Sequence, residues 1–255
     1  MRTLINFELL KFFKNKIVFF VLVFIVSFLL NGVIYLIAPS YSKPSGFLML
    51  SSLLTLISPL LCFIVIILGV MFFSQEYEGG TLRMILIGKF SRVEILIAKI
   101  ISLLISVSIL VFIIFLSSIF AGLLFSHFEG IKIQGYVLKT SLSLWLDTFR
   151  FFLVLILFLY SYTLLGFLLG LVFKRFLFSI IGSFFIYFLL ITFSILPKIK
   201  NFLFSYYFDL MIDSFGKLTK GIYVSIPFFV SLLVNLFYVF IFVFSGIYLF
   251  KRVEI

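Results

Sequence analysis

The chain is written in long apolar runs separated by short polar ones. Crossing the hydrocarbon core of a bilayer takes about 20 helical residues. Six runs are long enough: 17–38, 53–74, 98–125, 146–173, 177–196 and 225–249. Lipid offers no partner to a bare backbone amide, so each run is predicted to be a helix. The strict alternation of a membrane barrel is not present. A weaker pattern occupies 4–16. On a helix there, Ile5, Leu9, Phe12 and Phe13 fall on one side, and Glu8, Lys11, Lys14 and Asn15 on the other; Leu4 and Phe7 interrupt it. This predicts an interfacial helix at the headgroups, with Lys11, Lys14 and Lys16 facing lipid phosphate or a partner. A cytoplasmic extension of the first span is the competing reading.

Composition strengthens the membrane reading. Hydrophobic residues make up 64% of the 255, charged residues 11%, and the mean hydropathy is +1.38. A soluble domain has roughly 45–50% and about 25%. These values exclude a soluble enzyme, a nucleic-acid-binding domain and a disordered chain. The fold class is therefore all-α integral membrane: one domain, 1–255, with six spans and an N-terminal interfacial helix. The single cysteine, Cys62, lies in an apolar run and reads as a small buried hydrophobe. The single histidine, His127, cannot build a multi-histidine metal site.

Charge sets the orientation. The net charge is +11. With the N-terminus in the cytoplasm, twelve of the 20 Lys and Arg fall on the inner side and eight on the outer. The excess, with tight basic clusters beside the first and third spans, predicts both termini inside. Lys174–Arg175 then forms an inner turn between spans four and five. The outer loops are 39–52, 126–145 and 197–224. Trp145, Tyr206, Tyr207 and Tyr223 suit the headgroup level, and the Phe/Tyr-rich stretch 202–215 is apolar enough to dip into the outer interface. The abundance of Phe, Ile and Lys hints at an AT-rich bacterial source.

The most informative segment joins spans two and three, residues 72–99. Span two runs on into Gln75, Glu76, Tyr77 and Glu78, and Gly79–Gly80 stops it. Thr81 can cap a short helix over 82–87, ended by Gly88. Ser91-Arg92-Val93-Glu94 has the spacing of a capping box opening span three, with Phe90 and Ile95 at staple positions. On the short helix Leu82, Ile85 and Leu86 share one side and Arg83 departs from them. Exposed apolar residues on such a tip suit a protein partner. A well-capped connection without a partner is the plainer reading.

Glu76-Tyr-Glu-Gly-Gly-Thr-Leu-Arg83, followed by Ser91-Arg-Val-Glu-Ile-Leu-Ile-Ala-Lys99, resembles the first cytoplasmic loop of ABC transporter permeases of the type-2 exporter class. Many relatives have a proline near the Ser-Arg pair, where this chain has Lys89-Phe90. The resemblance is sharp over about 25 residues and extends to the whole chain in topology. It implies a cell-membrane permease subunit that pairs with a second permease chain, identical or similar. It implies docking on a separate ABC ATPase subunit, which carries the ATP and Mg; the permease binds no cofactor directly and is not itself an enzyme. It makes 76–94 the coupling loop, with Glu76, Glu78, Gly79, Gly80, Thr81, Leu82, Arg83, Ile85, Leu86, Ser91, Arg92 and Glu94 as coupling residues. It also implies that spans two and five line the pathway and dimer interface.

Other residues narrow the alternatives. A Walker A loop is absent: Gly88-Lys89 is followed by Phe90, and Arg83 stands where glycine is needed. The acidic residues lie in loops, at span ends or near the termini, which disfavours an ion-coupled carrier. An intramembrane serine protease lacks its histidine and a metalloprotease its histidine pair. Ser58, Ser102, Ser106, Ser161, Ser179 and Ser183 are expected to bond to their own helix backbone or to ease helix packing. Gly166-x-x-x-Gly170 reads as a close-packing motif, within one subunit or between two. Asn31, Pro59 and Asn235 are the remaining polar or helix-breaking points, and Pro59 is either a hinge or a fixed bend. A transport-inactive scaffold or assembly subunit is the alternative to the exporter. The substrate is not legible.

Overall fold

The computed structural model describes residues 2–14, 17–37, 45–80, 91–126, 128, 131–133, 136–196, 198–219 and 227–252. Its helices are α1 (Arg2–Lys14), α2 (Ile17–Ile37), α3 (Gly46–Glu78), α4 (Arg92–Phe125), α5 (Ser141–Phe173), α6 (Phe176–Ile195), α7 (Phe204–Thr219) and α8 (Phe228–Arg252). Six of them, α2, α3, α4, α5, α6 and α8, are long and apolar enough to cross a membrane. They coincide with the six predicted runs. Several are longer than the runs: α3 begins at Gly46 and α4 at Arg92.

Local signals fix most helix ends. Ser91 caps α4: its Oγ accepts from the Glu94 N–H at 3.3 Å, while its own N–H donates to Glu94 Oε2 at 2.8 Å. The expected capping box is formed. Thr140 caps α5 by accepting from the Ser143 N–H at 3.4 Å. At the other end of α5, Lys174 adopts φ 58° and its N–H donates to the Gly170 carbonyl. Only Lys174 and Arg175 separate α5 from α6, so these two spans form a tight antiparallel hairpin. α3 ends as the sequence predicts. The Gly79 N–H donates to the Gln75 carbonyl, and Gly80 takes φ +67°, a left-handed angle that glycine adopts without a steric penalty.

The core lies along α3 and α5, which pack on each other more extensively than any other pair of elements. The reason is the absence of side chains at the crossing. A Cβ on Gly69 would stand 2.1 Å from the Thr163 carbonyl oxygen, and one on Gly166 would stand 2.5 Å from that of Ile66. The two backbones touch reciprocally. The Gly166-x-x-x-Gly170 motif therefore joins spans two and four within this chain. Around this axis α4 packs on α3 and α2 on α4, while α8 lies against α5. Of the span serines, Ser102 donates to the Lys99 carbonyl, Ser106 to Ser102, Ser161 to Leu157 and Ser183 to Ser179, each within its own helix as expected, while Ser179 donates both to Arg175 of its own helix and to Leu169 of α5. Cys62 is buried and free.

We refer to the end of the bundle holding α1 and the last turn of α8 as the near end, and to the opposite end as the far end. The far end carries two elements absent from the sequence reading. A small antiparallel hairpin pairs β1 (Ile131–Ile133) with β2 (Tyr136–Lys139). The stretch expected only to dip into the interface is the amphipathic helix α7. Phe204, Phe208 and Met211 on one of its faces are fully buried. The Phe208 ring stacks on Phe158 of α5 with centroids 3.7 Å apart, and Phe204 packs on Tyr162 at 4.9 Å. Backbone carbonyls close the docking: Tyr207 accepts from Ser231 Oγ, and Phe202 from the Tyr238 hydroxyl.

Candidate functional site

The near end converges on the last turn of α3, just before the glycine pair. Three consecutive residues there hold three other parts of the chain. Glu76 is buried and receives two ammonium groups. Lys99 Nζ of α4 lies 2.6 Å from Glu76 Oε2, and Lys11 Nζ of α1 lies 2.6 Å from Glu76 Oε1. Lys99 also reaches Glu8 Oε1 of α1 at 2.9 Å. Tyr77 lies under the ammonium of Lys174, 5.2 Å from its ring centroid, at the turn between spans four and five. Glu78 Oε1 accepts the N–H of Phe176 at 2.8 Å. That N–H opens α6, where Arg175 supplies no side-chain cap. A carboxylate from α3 thus caps another span and meets the positive end of its dipole.

Burial sets the weight of these contacts. The Lys99 side chain is 1% exposed and its two acids nearly as buried; Lys11 is 49% exposed. An isolated buried charge is expensive, and two pairs of opposite charge in contact offset that cost. Lys99, Lys11, Glu8 and Glu76 make a neutral set. Their arrangement is mechanical: α1, α3 and α4 are tied at one point, and Phe73, one turn deeper on α3, meets Phe250 of α8 at 6.0 Å between ring centroids.

The structure unites Lys11 and Glu76 of the predicted residues in one cluster, with Glu78 two residues on. Ser91, Arg92 and Glu94 stand at the start of α4, where Ser91 and Glu94 form the cap. The helix predicted over 4–16 is present as α1, with Glu8 turned inward rather than to the outer, polar side. Glu8 is buried against Lys99, while Phe7 and Leu10 point outward. The reason is the Lys99 ammonium, which needs a carboxylate more than α1 needs its polar face in water. Glu76 likewise faces α1 and α4. Thr81, Leu82, Arg83, Ile85 and Leu86, with the short helix predicted over 82–87, lie outside the described residues. So do Lys16 and the Lys14 side chain.

Glu8 and Lys99 are the residues missed as site members. Both were visible: Glu8 as a lone acid in a basic helix, Lys99 as a cation one turn inside an apolar run. Their pairing across 91 positions was not.

Comparison with known proteins agrees with this architecture. No curated protein sequence matches the chain. The family described as "ABC-2 family transporter protein" matches residues 4–190, taking in nearly all of α1, four complete spans, the charged clamp formed by Glu8, Lys11, Glu76 and Lys99, and most of α6. With six apolar helices and well over half of its length inside that match, the chain belongs to the ABC-2 transporter family as a multi-pass membrane permease.

Proposed function

We propose that this chain is the membrane subunit of an ATP-driven exporter, and that its near end receives the push of a separate ABC ATPase. The near end is then cytoplasmic, both termini are inside, and a second permease chain, identical or similar, completes the pathway along α3 and α6. The ATPase carries the ATP and Mg. Residues 76–94 form the coupling loop, with Leu82, Ile85 and Leu86 as its apolar contacts and Thr81, Arg83, Ser91 and Arg92 beside them.

One observation carries this reading. The residues that lead into the loop, Glu76, Tyr77 and Glu78, are the ones that hold α1, α4 and the α5–α6 turn. A displacement at Gly79–Gly80 therefore reaches four helices together rather than bending one. The clamp supplies stiffness where force enters, and the glycine pair supplies the break that separates loop from span.

The test is co-purification with the matching ATPase. Leu82→Asp and Leu86→Asp should each abolish the complex by placing a charge in an apolar contact, while leaving the permease folded. Lys99→Met should leave ATPase binding and uncouple ATP hydrolysis from transport. An intact complex with both Asp variants removes the loop from the coupling role. Single cysteines at Gly79 and Lys139 in a Cys62→Ser background test the orientation: impermeant label added outside should reach position 139 and not position 79.

A further inference from the structure

α4 and α5 each pack on α3 more extensively than on each other, and a groove of about 410 Å³ is left between them. Its walls are Ile109, Phe112 and Phe115 of α4 and Phe149, Leu153 and Ile156 of α5. Two contacts join the helices along it. Toward the middle of the bundle the Tyr160 hydroxyl bonds to Ser108 Oγ. Toward the far end the rings of Phe115 and Phe152 meet with centroids 4.2 Å apart. From Ser108 to Phe115 the helix rises about 10 Å, so the groove is elongated along the spans. Phe112, Phe149 and Leu153 are exposed while Phe152 is buried. The groove therefore has a closed back and an open side, between two helices that are both long and apolar enough to cross a membrane.

The walls offer no free hydrogen bond. Ser108 is the polar residue among those lining the groove, and its Oγ is engaged twice. It donates to the Leu104 carbonyl at 2.9 Å and accepts from Tyr160. A water molecule needs two to four polar partners to occupy such a space. An empty groove would forfeit the dispersion contacts of its walls. Its volume is that of a small-molecule site, roughly 300–1,000 Å³. At the depth of these spans the neighbour that can fill it is hydrocarbon.

We propose that the groove binds one acyl chain of a bilayer phospholipid from the leaflet at the far end. A chain lying on a convex helix touches protein on one side. A chain in this groove touches α4 on one flank and α5 on the other, and its gain in dispersion contacts grows with the length enclosed. The chain is the part recognised: the lining residues carry no charge, and the head group stays at the membrane surface. The bound chain completes the packing between α4, which carries Lys99 of the clamp, and α5, which carries the close crossing with α3. This inference rests on the spans alone and is independent of ATPase docking.

The test uses the full-length permease in nanodiscs of phosphatidylcholine containing a small fraction of phosphatidylcholine with a diazirine midway along one chain. After photolysis, labelled residues are mapped by mass spectrometry. For lipid that merely coats the protein, labelling follows exposure. Leu233 and Phe237 of α8 are 64% and 63% exposed, against 40% for Leu153 and 59% for Phe149. Leu153 should nevertheless be labelled about fivefold more than Leu233, and Phe149 about fivefold more than Phe237. Ile156→Trp, which fills the groove, should bring both down to the level of α8, while Phe244→Trp on the outward face of α8 should leave them unchanged. Unlabelled phosphatidylglycerol with the same chains should displace the label as well as phosphatidylcholine does. Labelling that follows exposure in the unaltered protein overturns the proposal even where a variant fails to fold. So does displacement that depends on the head group. A disulfide between two copies carrying Leu153→Cys in a Cys62→Ser background would assign the groove to contact with a second copy and overturn it as well.

Discussion

The near end of the bundle is joined by charges and the far end by rings. At the near end α1, α3 and α4 meet at Glu8, Glu76, Lys11 and Lys99. At the far end Phe47, Phe128 and Trp145 pack with centroids 4.9–5.3 Å apart, and Phe204 and Phe208 key α7 into the spans. The two kinds of contact fail differently. A ring can slide on another ring and keep most of its contact. A buried ion pair is lost within an ångström or two, leaving charges stranded, so it behaves as an on-or-off joint. Force entering at the near end meets a stiff element, while the far end can repack around a passing molecule.

The largest expected effect tests the stiffness directly. Lys99→Met leaves Glu8 and Glu76 buried together without their shared cation. The loss should be about 3–5 kcal/mol in unfolding measured in nanodiscs. Adding Glu8→Gln and Glu76→Gln should recover most of it. Lys11→Met, at an exposed partner, should cost no more than about 1 kcal/mol. Similar losses for both lysines would erase the distinction between a buried joint and a surface pair.

At the far end, Phe208→Ala removes a fully buried ring and should cost about 3–4 kcal/mol. The loss should be local, read as faster hydrogen exchange in α7 with the near end unchanged. Between the two ends, Gly166→Ala forces a methyl against the Ile66 carbonyl and should cost about 1–3 kcal/mol by parting α3 from α5. Ser91→Ala should cost about 1 kcal/mol through the lost cap, seen as fraying at the start of α4.

The smallest expected effect is a pH dependence confined to the far end. The Asp209 carboxyl is raised to about 6 from an ordinary 3.8 by burial. The folded state therefore holds its proton more tightly than the unfolded state does. Stability from this group is complete below about pH 4 and declines as pH rises through about 6. Proteolysis at the α7 boundaries should quicken over that window, and Asp209→Asn should flatten the profile. A profile unchanged in Asp209→Asn would assign the effect elsewhere.

Legibility in the sequence followed the range of the interaction. The six spans and the Ser91–Glu94 capping box depend on residues within a few turns, and they were readable. So was the stop at Gly79–Gly80. α7 was not readable as a helix because its sixteen residues are too few to span and carry two aspartates, and its burial comes from Phe158 and Tyr162, more than forty residues away. The face of α1 was misjudged for a related reason. Taken alone, Glu8 belongs in water, and only the Lys99 ammonium draws it inward. Gly166 announced a close approach, but its partner Gly69 carries no spacing signal linking the two.

The contact at Gly69 and Gly166 has a consequence for how the molecule can change shape. At that crossing spans two and four lie backbone on backbone, with no cushion of side chains to shear. They form a single blade, and relative sliding along that seam would drive main-chain oxygens into α-carbons. Any rearrangement that opens a path must leave the blade whole and be taken up by the spans on its flanks. α2, α6 and α8 bury the smallest share of their surface within the subunit, and they are the ones with freedom to swing.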